Sequence, residues 1–167
     1  DYDRFKNEEA EDFYLFLGQL NPYKKADLAI RAFNRLGEKL VVIGDGPQKK
    51  ELAGLAEANI QLTGRLSDGE ITRYYSRCRG FIFPGEEDFG ITPLEAMASG
   101  KPVIAYGKGG ALETVVDGET GCFFESPEPA ALIDAVKRSQ TISWDEKKIR
   151  QHARQFNRKI TKEKLQS

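Results

Sequence analysis

Little in this chain offers redox or metal chemistry. Its 167 residues include two cysteines, one histidine, one tryptophan and one methionine. Cys78 and Cys122 lie in apolar stretches outside any Cys-x-x-Cys or His-bearing spacing. The usual zinc patterns are therefore excluded, and two buried thiols in a reducing compartment are expected. His152 stands among Arg150, Gln151 and Arg154, which predicts a surface position on a polar helix, not a general base. No apolar run approaches the roughly 18 residues that span a bilayer, and no signal-peptide pattern opens the sequence. An excess of one charge is missing too: 25 Lys and Arg face 26 Asp and Glu, leaving no broad basic face for nucleic acid. Internal repeats and low-complexity segments are absent. These absences predict a soluble, cytoplasmic chain with one substantial core.

What is present is alternation. Short apolar runs at Phe13 to Gly18, Leu40 to Ile43, Ile60 to Thr63, Gly80 to Phe83, Val103 to Ala105 and Cys122 to Phe124 read as strands. Helical patterns fall between them, at Lys25 to Leu36, Pro47 to Ala56, Ser67 to Arg77, Pro93 to Ser99 and Pro129 to Gln140, with a short turn near Ala111 to Val115. Strand and helix in turn indicate an α/β domain with a mainly parallel, doubly wound sheet of about six strands. The expected division is a linker remnant over 1–12, polar and without apolar period, the domain proper over 13–140, and a charged, helix-prone tail over 141–167 with no strand to cover.

The segment Pro84-Gly85-Glu86-Glu87-Asp88-Phe89-Gly90-Ile91-Thr92-Pro93-Leu94-Glu95 concentrates the chemistry. It leaves the fourth strand through a loop and enters a helix with Thr92 as N-cap, Pro93 at the first helical position and Glu95 at the third. A helix N-terminus after a glycine-containing loop cradles anions with its unpaired N–H groups. Thr92 to Glu95 also satisfies the capping-box pattern, so Glu95 has an alternative role as a cap with no ligand. Three acidic residues upstream exceed what one helix dipole needs. They imply a ligand with many hydroxyls, and lysines opposite them if it also carries phosphate. In a 3-2-1-4-5-6 sheet the winding reverses between the first and fourth strands, and a crevice opens there. The loop after the first strand, Gly18-Gln19-Leu20-Asn21-Pro22-Tyr23-Lys24-Lys25, supplies the lysines.

Three other patterns are weaker. Gly44-Asp45-Gly46 begins like a dinucleotide fingerprint but lacks its last glycine, and reads as a strand-to-helix turn. Gly107-Lys108-Gly109-Gly110 matches neither phosphate-loop pattern, and its glycines suit a close backbone approach. Asp1-Tyr2-Asp3 has the spacing of a metal-holding Asp-x-Asp pair but lies in the expected linker, away from any strand end.

Taken together, these residues resemble the C-terminal, nucleotide-sugar-binding half of a family 4 retaining glycosyltransferase with the GT-B fold, a Rossmann-like domain. The resemblance covers nearly the whole chain. It rests on the E-x7-E stretch from Glu87 to Glu95, on Gly109-Gly110-Ala111-Leu112-Glu113, on Asp117-Gly118-Glu119-Thr120-Gly121 and on Asp3-Arg4-Phe5. It implies that Glu87 faces the donor sugar and Glu95 the ribose hydroxyls. The amides of Phe89, Gly90 and Ile91 would meet the phosphates, Gly64-Arg65-Leu66 would lie beside the nucleobase, and the loop residues Gly18, Gln19 and Lys24 would bind the donor, Lys24 at its diphosphate. No metal and no cofactor is implied. The particular variant is most similar to bacterial and archaeal mannosyltransferases of polysaccharide assembly, which implies GDP-mannose as donor. The acceptor site, and any membrane contact, would belong to an N-terminal domain that these residues do not include.

One position departs from the family pattern. Gln19 stands where arginine is usual, and it can donate hydrogen bonds but brings no charge to a leaving diphosphate. Two alternatives therefore stand beside the transferase: a non-catalytic nucleotide-binding module, supported by Gln19, and a GT-B nucleotide-sugar epimerase, opposed by the E-x7-E spacing.

Overall fold

A computed structural model describes residues 4–87 and 90–156. Its strands are β1 (Tyr14–Leu17), β2 (Leu40–Ile43), β3 (Ile60–Gly64), β4 (Gly80–Phe83), β5 (Val103–Tyr106) and β6 (Gly121–Phe124). The α-helices are α1 (Ala26–Leu36), α2 (Lys49–Leu55), α3 (Asp68–Arg77), α4 (Ile91–Ala98), α5 (Ala111–Thr114), α6 (Pro129–Gln140) and α7 (Glu146–Arg154). The strands form one sheet in the order β3-β2-β1-β4-β5-β6, and every neighbouring pair is parallel. The doubly wound order is the expected one, and the sheet is wholly rather than mainly parallel.

Strand composition follows from burial on both faces, which favours near-continuous apolar runs. Leu15, Val41, Ile43, Phe81, Phe83, Val103 and Ala105 turn to one side, where α3, α4 and α7 contribute Tyr75, Leu94, Met97, Ile149 and Ala153. Tyr14, Phe16, Leu40, Val42, Ile82 and Ile104 turn to the other, against Ile30 and Phe33 of α1, Leu52 of α2 and Leu132 of α6. Both cysteines are free and buried, and burial pushes the Cys78 thiol up to about 12, so it is inert at neutral pH.

Two regions differ from expectation. The amino-terminal segment, which has no apolar period, packs against the domain. Phe5 is fully buried, the Glu8 and Glu11 amides donate to the Ser76 and Arg77 carbonyls, and buried Lys101 donates to the Glu8 carbonyl at 2.9 Å. The tail helix α7 packs on α4 with Ile149 and Ala153 buried, in keeping with a helical tail that has no strand of its own to cover. His152 is half-buried, with Nε2 2.6 Å from the Thr114 carbonyl oxygen and its ring edge-on to Phe156. It is thus a bridge from α7 to α5, not the expected surface histidine.

The loops leaving β1, β2 and β3 are laced together by backbone. Gly18 N–H donates to Ile43 at 3.1 Å, Leu20 N–H to Asp45 at 3.0 Å and Gly44 N–H to Gly64 at 3.1 Å. Gly44-Asp45-Gly46 is the turn between β2 and α2, as its sequence suggested. Gly44 has φ +146°, and a Cβ there would overlap the Gly18 carbonyl oxygen. Gly44→Ala should therefore cost about 3 kcal/mol through strain and overpacking. Thermal unfolding would show it as a fall of roughly 6–12 °C.

Candidate functional site

The reversal of winding places the loop after β1 beside the loop after β4. On the first, Pro22–Lys24 forms a short 3-10 turn, and Lys25 follows with φ 60°, ψ 34° before α1 begins. Lys25 is the one non-glycine residue with positive φ among those described, which accounts for glycine being the easier choice there. On the second loop, Pro84 and Gly85 are buried and Glu86 is exposed. A Cβ on Gly85 would stand 2.8 Å from the Tyr23 carbonyl, so the two loops touch by backbone and glycine is required at the contact.

Across this contact Lys24 Nζ donates to Glu87 Oε1 at 2.8 Å, and both side chains are about one-fifth exposed. Gly18 lies under the lysine stem: a Cβ there would be 3.6 Å from Lys24 Cδ. Gln19 is exposed, and Asn21 Nδ2 reaches its Oε1 at 3.4 Å. The glycine loop after β5 holds Glu87 from the far side. Gly110 N–H donates to the Glu87 carbonyl, and Gly109, at φ +69°, passes so close that a Cβ would come within 2.6 Å of the same oxygen. Sequence reasoning saw these glycines but not what they approach.

The helix start differs from the cap expected. Helix α4 begins two residues earlier, with Gly90 as N-cap and no side-chain cap. Gly90 is buried against Phe83, whose ring would be 2.5 Å from a Cβ there. Thr92 and Pro93 lie inside the first turn, where proline costs little because the first amides lack helical partners. Glu95 does not close a box with Thr92. Instead it is turned inward and is 6% exposed. Tyr75 OH donates to its Oε1 at 3.2 Å, and Arg4 approaches its Oε2 at 3.6 Å. A reciprocal capping box does exist elsewhere, between Ser67 and Glu70 at the start of α3. Tyr75 was not singled out by sequence, and Arg4 only within Asp3-Arg4-Phe5, with no role given to it. The inward period of Ile71 and Tyr75 on α3, continued by Cys78 at its C-cap, was the available signal.

Of the remaining expected site residues, Gly64 ends β3 at φ +76°, Arg65 is exposed and Leu66 half-buried. Ile91 is the first residue of α4. Phe89 and Asp88, like Asp1, Tyr2 and Asp3, lie outside the described residues. The structure thus joins Gly18, Lys24 and Glu87 directly and connects Gly64 through Gly44, while Glu95 sits deeper, on α4. A separate groove of about 330 Å³, lined by Phe13, Lys39, Gln61 and Arg73 among others, opens at the amino ends of the strands. No glycine lines it.

Residues 2–156 match the family described as glycosyl transferases group 1. The chain belongs to that family. It is 31% identical over 163 residues to an uncharacterized glycosyltransferase of Methanocaldococcus jannaschii, covering 95% of this chain and 46% of that protein. It is 32% identical over 139 residues to the GDP-mannose-dependent alpha-(1-6)-phosphatidylinositol monomannoside mannosyltransferase of Mycolicibacterium smegmatis, 72% of this chain and 36% of that one. Among solved structures, Anabaena Alr3699/HepE in complex with UDP-glucose superposes with a TM-score of 0.76 at 23% identity, over 94% of this chain and 49% of that one. The chain therefore spans about half or less of the length of these glycosyltransferases, and its fold is that of the C-terminal half of a GT-B enzyme. No helix among the described residues is long and apolar enough to cross a membrane.

Proposed function

We propose that this group 1 glycosyltransferase domain is the donor-binding half of a retaining enzyme, moving mannose from GDP-mannose to a glycan or lipid-linked acceptor without metal or cofactor. In this reading 1–12 joins the two halves, 13–140 holds the donor and 141–167 is a helical tail. The acceptor site, and any contact with membrane, belongs to the other half.

The contact of Lys24 with Glu87 across the β1–β4 crevice carries the reading. In the structure the Lys24 ammonium and the Glu87 carboxylate satisfy each other. A nucleotide sugar offers each a better partner: phosphate for the ammonium, sugar hydroxyls for the carboxylate. As the anomeric C–O bond breaks, charge grows on the diphosphate, and Lys24 with the amides of Phe89, Gly90 and Ile91 at the start of α4 would stabilise it. Glu87 would hold the sugar or steady an oxocarbenium-like centre, and Glu95 would take the ribose hydroxyls. Gly64-Arg65-Leu66, held level with Gly18 by the backbone lacing, would flank the base. The mannose assignment draws on the similarity to the mycobacterial mannosyltransferase, which is GDP-mannose-dependent.

Calorimetric titration with GDP, UDP and ADP tests the donor: GDP should bind tightest, and equal or absent binding of all three would count against the reading. Gln19 favours a competing, non-catalytic module, because an exposed amide adds no charge beside Lys24. A sugar-transfer assay with the other half restored separates the two. Gln19→Arg should tighten GDP binding about three- to tenfold by adding a charge-assisted, partly exposed hydrogen bond, and an unchanged Kd would show that position 19 does not reach the diphosphate.

A further inference from the structure

Glu95 is too deeply placed to be oriented by solvent, and its observed partners come from outside α4. Tyr75 lies on α3 and is fully buried. Its ring is edge-on to Phe5 at 5.9 Å and tilted against Phe81 at 5.6 Å, so the phenol oxygen has a fixed position. That hydroxyl has Glu95 Oε1 within 3.2 Å and the Thr92 carbonyl within 3.3 Å, fastening α3 to the first turn of α4 at the carboxylate. Arg4, in the segment before β1, is seated over the Phe5 ring at 4.8 Å and brings its guanidinium to the other carboxylate oxygen.

We propose that Tyr75 and Arg4 are positioning residues for donor recognition: one fixes each oxygen of Glu95 so that the carboxylate meets the ribose hydroxyls at a set angle. The inference rests on the reading of Glu95 given above. Burial, with Glu95 alongside, holds the Tyr75 phenol well above its ordinary range, so it remains a donor at any physiological pH. A carboxylate free to rotate would lose directional hydrogen bonds even with its charge intact. The phenol prevents that through a ring that cannot turn aside. Both partners also sit on elements distinct from α4, so the recognition angle depends on how α3 and the amino-terminal segment pack.

The test is calorimetric titration of the 167-residue chain with GDP and with 2′,3′-dideoxy-GDP. The wild type should prefer GDP by about tenfold or more, as expected for hydrogen bonds to a charged group, and Glu95→Gln should erase most of that preference. Tyr75→Phe and Arg4→Gln should each raise the Kd for GDP about fivefold to tenfold and leave that for the dideoxy nucleotide within twofold. Equal weakening of both nucleotides, or melting-temperature loss with the preference intact, would make the cluster purely structural and overturn the proposal. If the wild type shows no preference, the ribose role of Glu95 fails first and takes the inference with it. Should Tyr75→Phe not fold, Arg4→Gln decides alone.

Discussion

Replacing Lys24 with alanine should raise the Kd for GDP by roughly 30- to 100-fold while leaving guanosine binding unchanged. A hydrogen bond to a charged partner contributes about 1.5–3 kcal/mol when its loss strands the other group, and 1.4 kcal/mol is one decade of affinity. The upper part of that range is expected because Lys24 faces Glu87 at 2.8 Å. Without the ammonium, the mouth of the crevice keeps its carboxylates and repels the diphosphate. The same substitution should flatten the salt dependence of GDP binding. The melting temperature should move by only a few degrees, since partly exposed ion pairs contribute about 0–1 kcal/mol. A large loss of stability with little loss of affinity would instead make Lys24 a structural residue.

Glu87→Gln, in a protein that restores the other half, should lower turnover of GDP-mannose by about 10²- to 10³-fold, the usual effect of removing one preorganised electrostatic partner of a reacting centre. The amide keeps the shape and the hydrogen bond to Lys24, while the charge is gone. Affinity for GDP itself should stay within about threefold, because the carboxylate is assigned to the sugar, not the nucleotide. Steady-state release of GDP from GDP-mannose separates the two effects: an unchanged kcat removes Glu87 from the chemistry, and a raised KM with unchanged kcat limits it to binding. The Glu87 position depends on the Gly109-Gly110 clamp.

Most of the architecture was legible because parallel strands buried on both faces read as bounded apolar runs, and their alternation with helices fixes a small set of topologies. The meeting of Lys24 and Glu87 was legible for another reason: an acidic loop at the winding reversal calls for cations, and the neighbouring loop has them. What stayed hidden lay in contacts distant in sequence. Thr92-Pro93-Leu94-Glu95 obeys every local capping rule, yet Tyr75, twenty residues earlier, takes the carboxylate, and the helix starts at Ile91. Tertiary context overrode a local signal there. Phe5 lies in a charged segment and has no apolar period to betray its burial. His152 sits in a run of polar neighbours, and only the carbonyl of Thr114 on another element explains its place. The glycines at 109 and 110 announced a close approach without naming the partner.

A crystal structure of this chain with GDP bound would test the central claim most directly. The account predicts a diphosphate oxygen within hydrogen-bond distance of Lys24 Nζ, in place of the Glu87 contact, and ribose hydroxyls on the Glu95 carboxylate. A nucleotide bound at the amino ends of the strands, or a Lys24–Glu87 pair left undisturbed beside it, would contradict it.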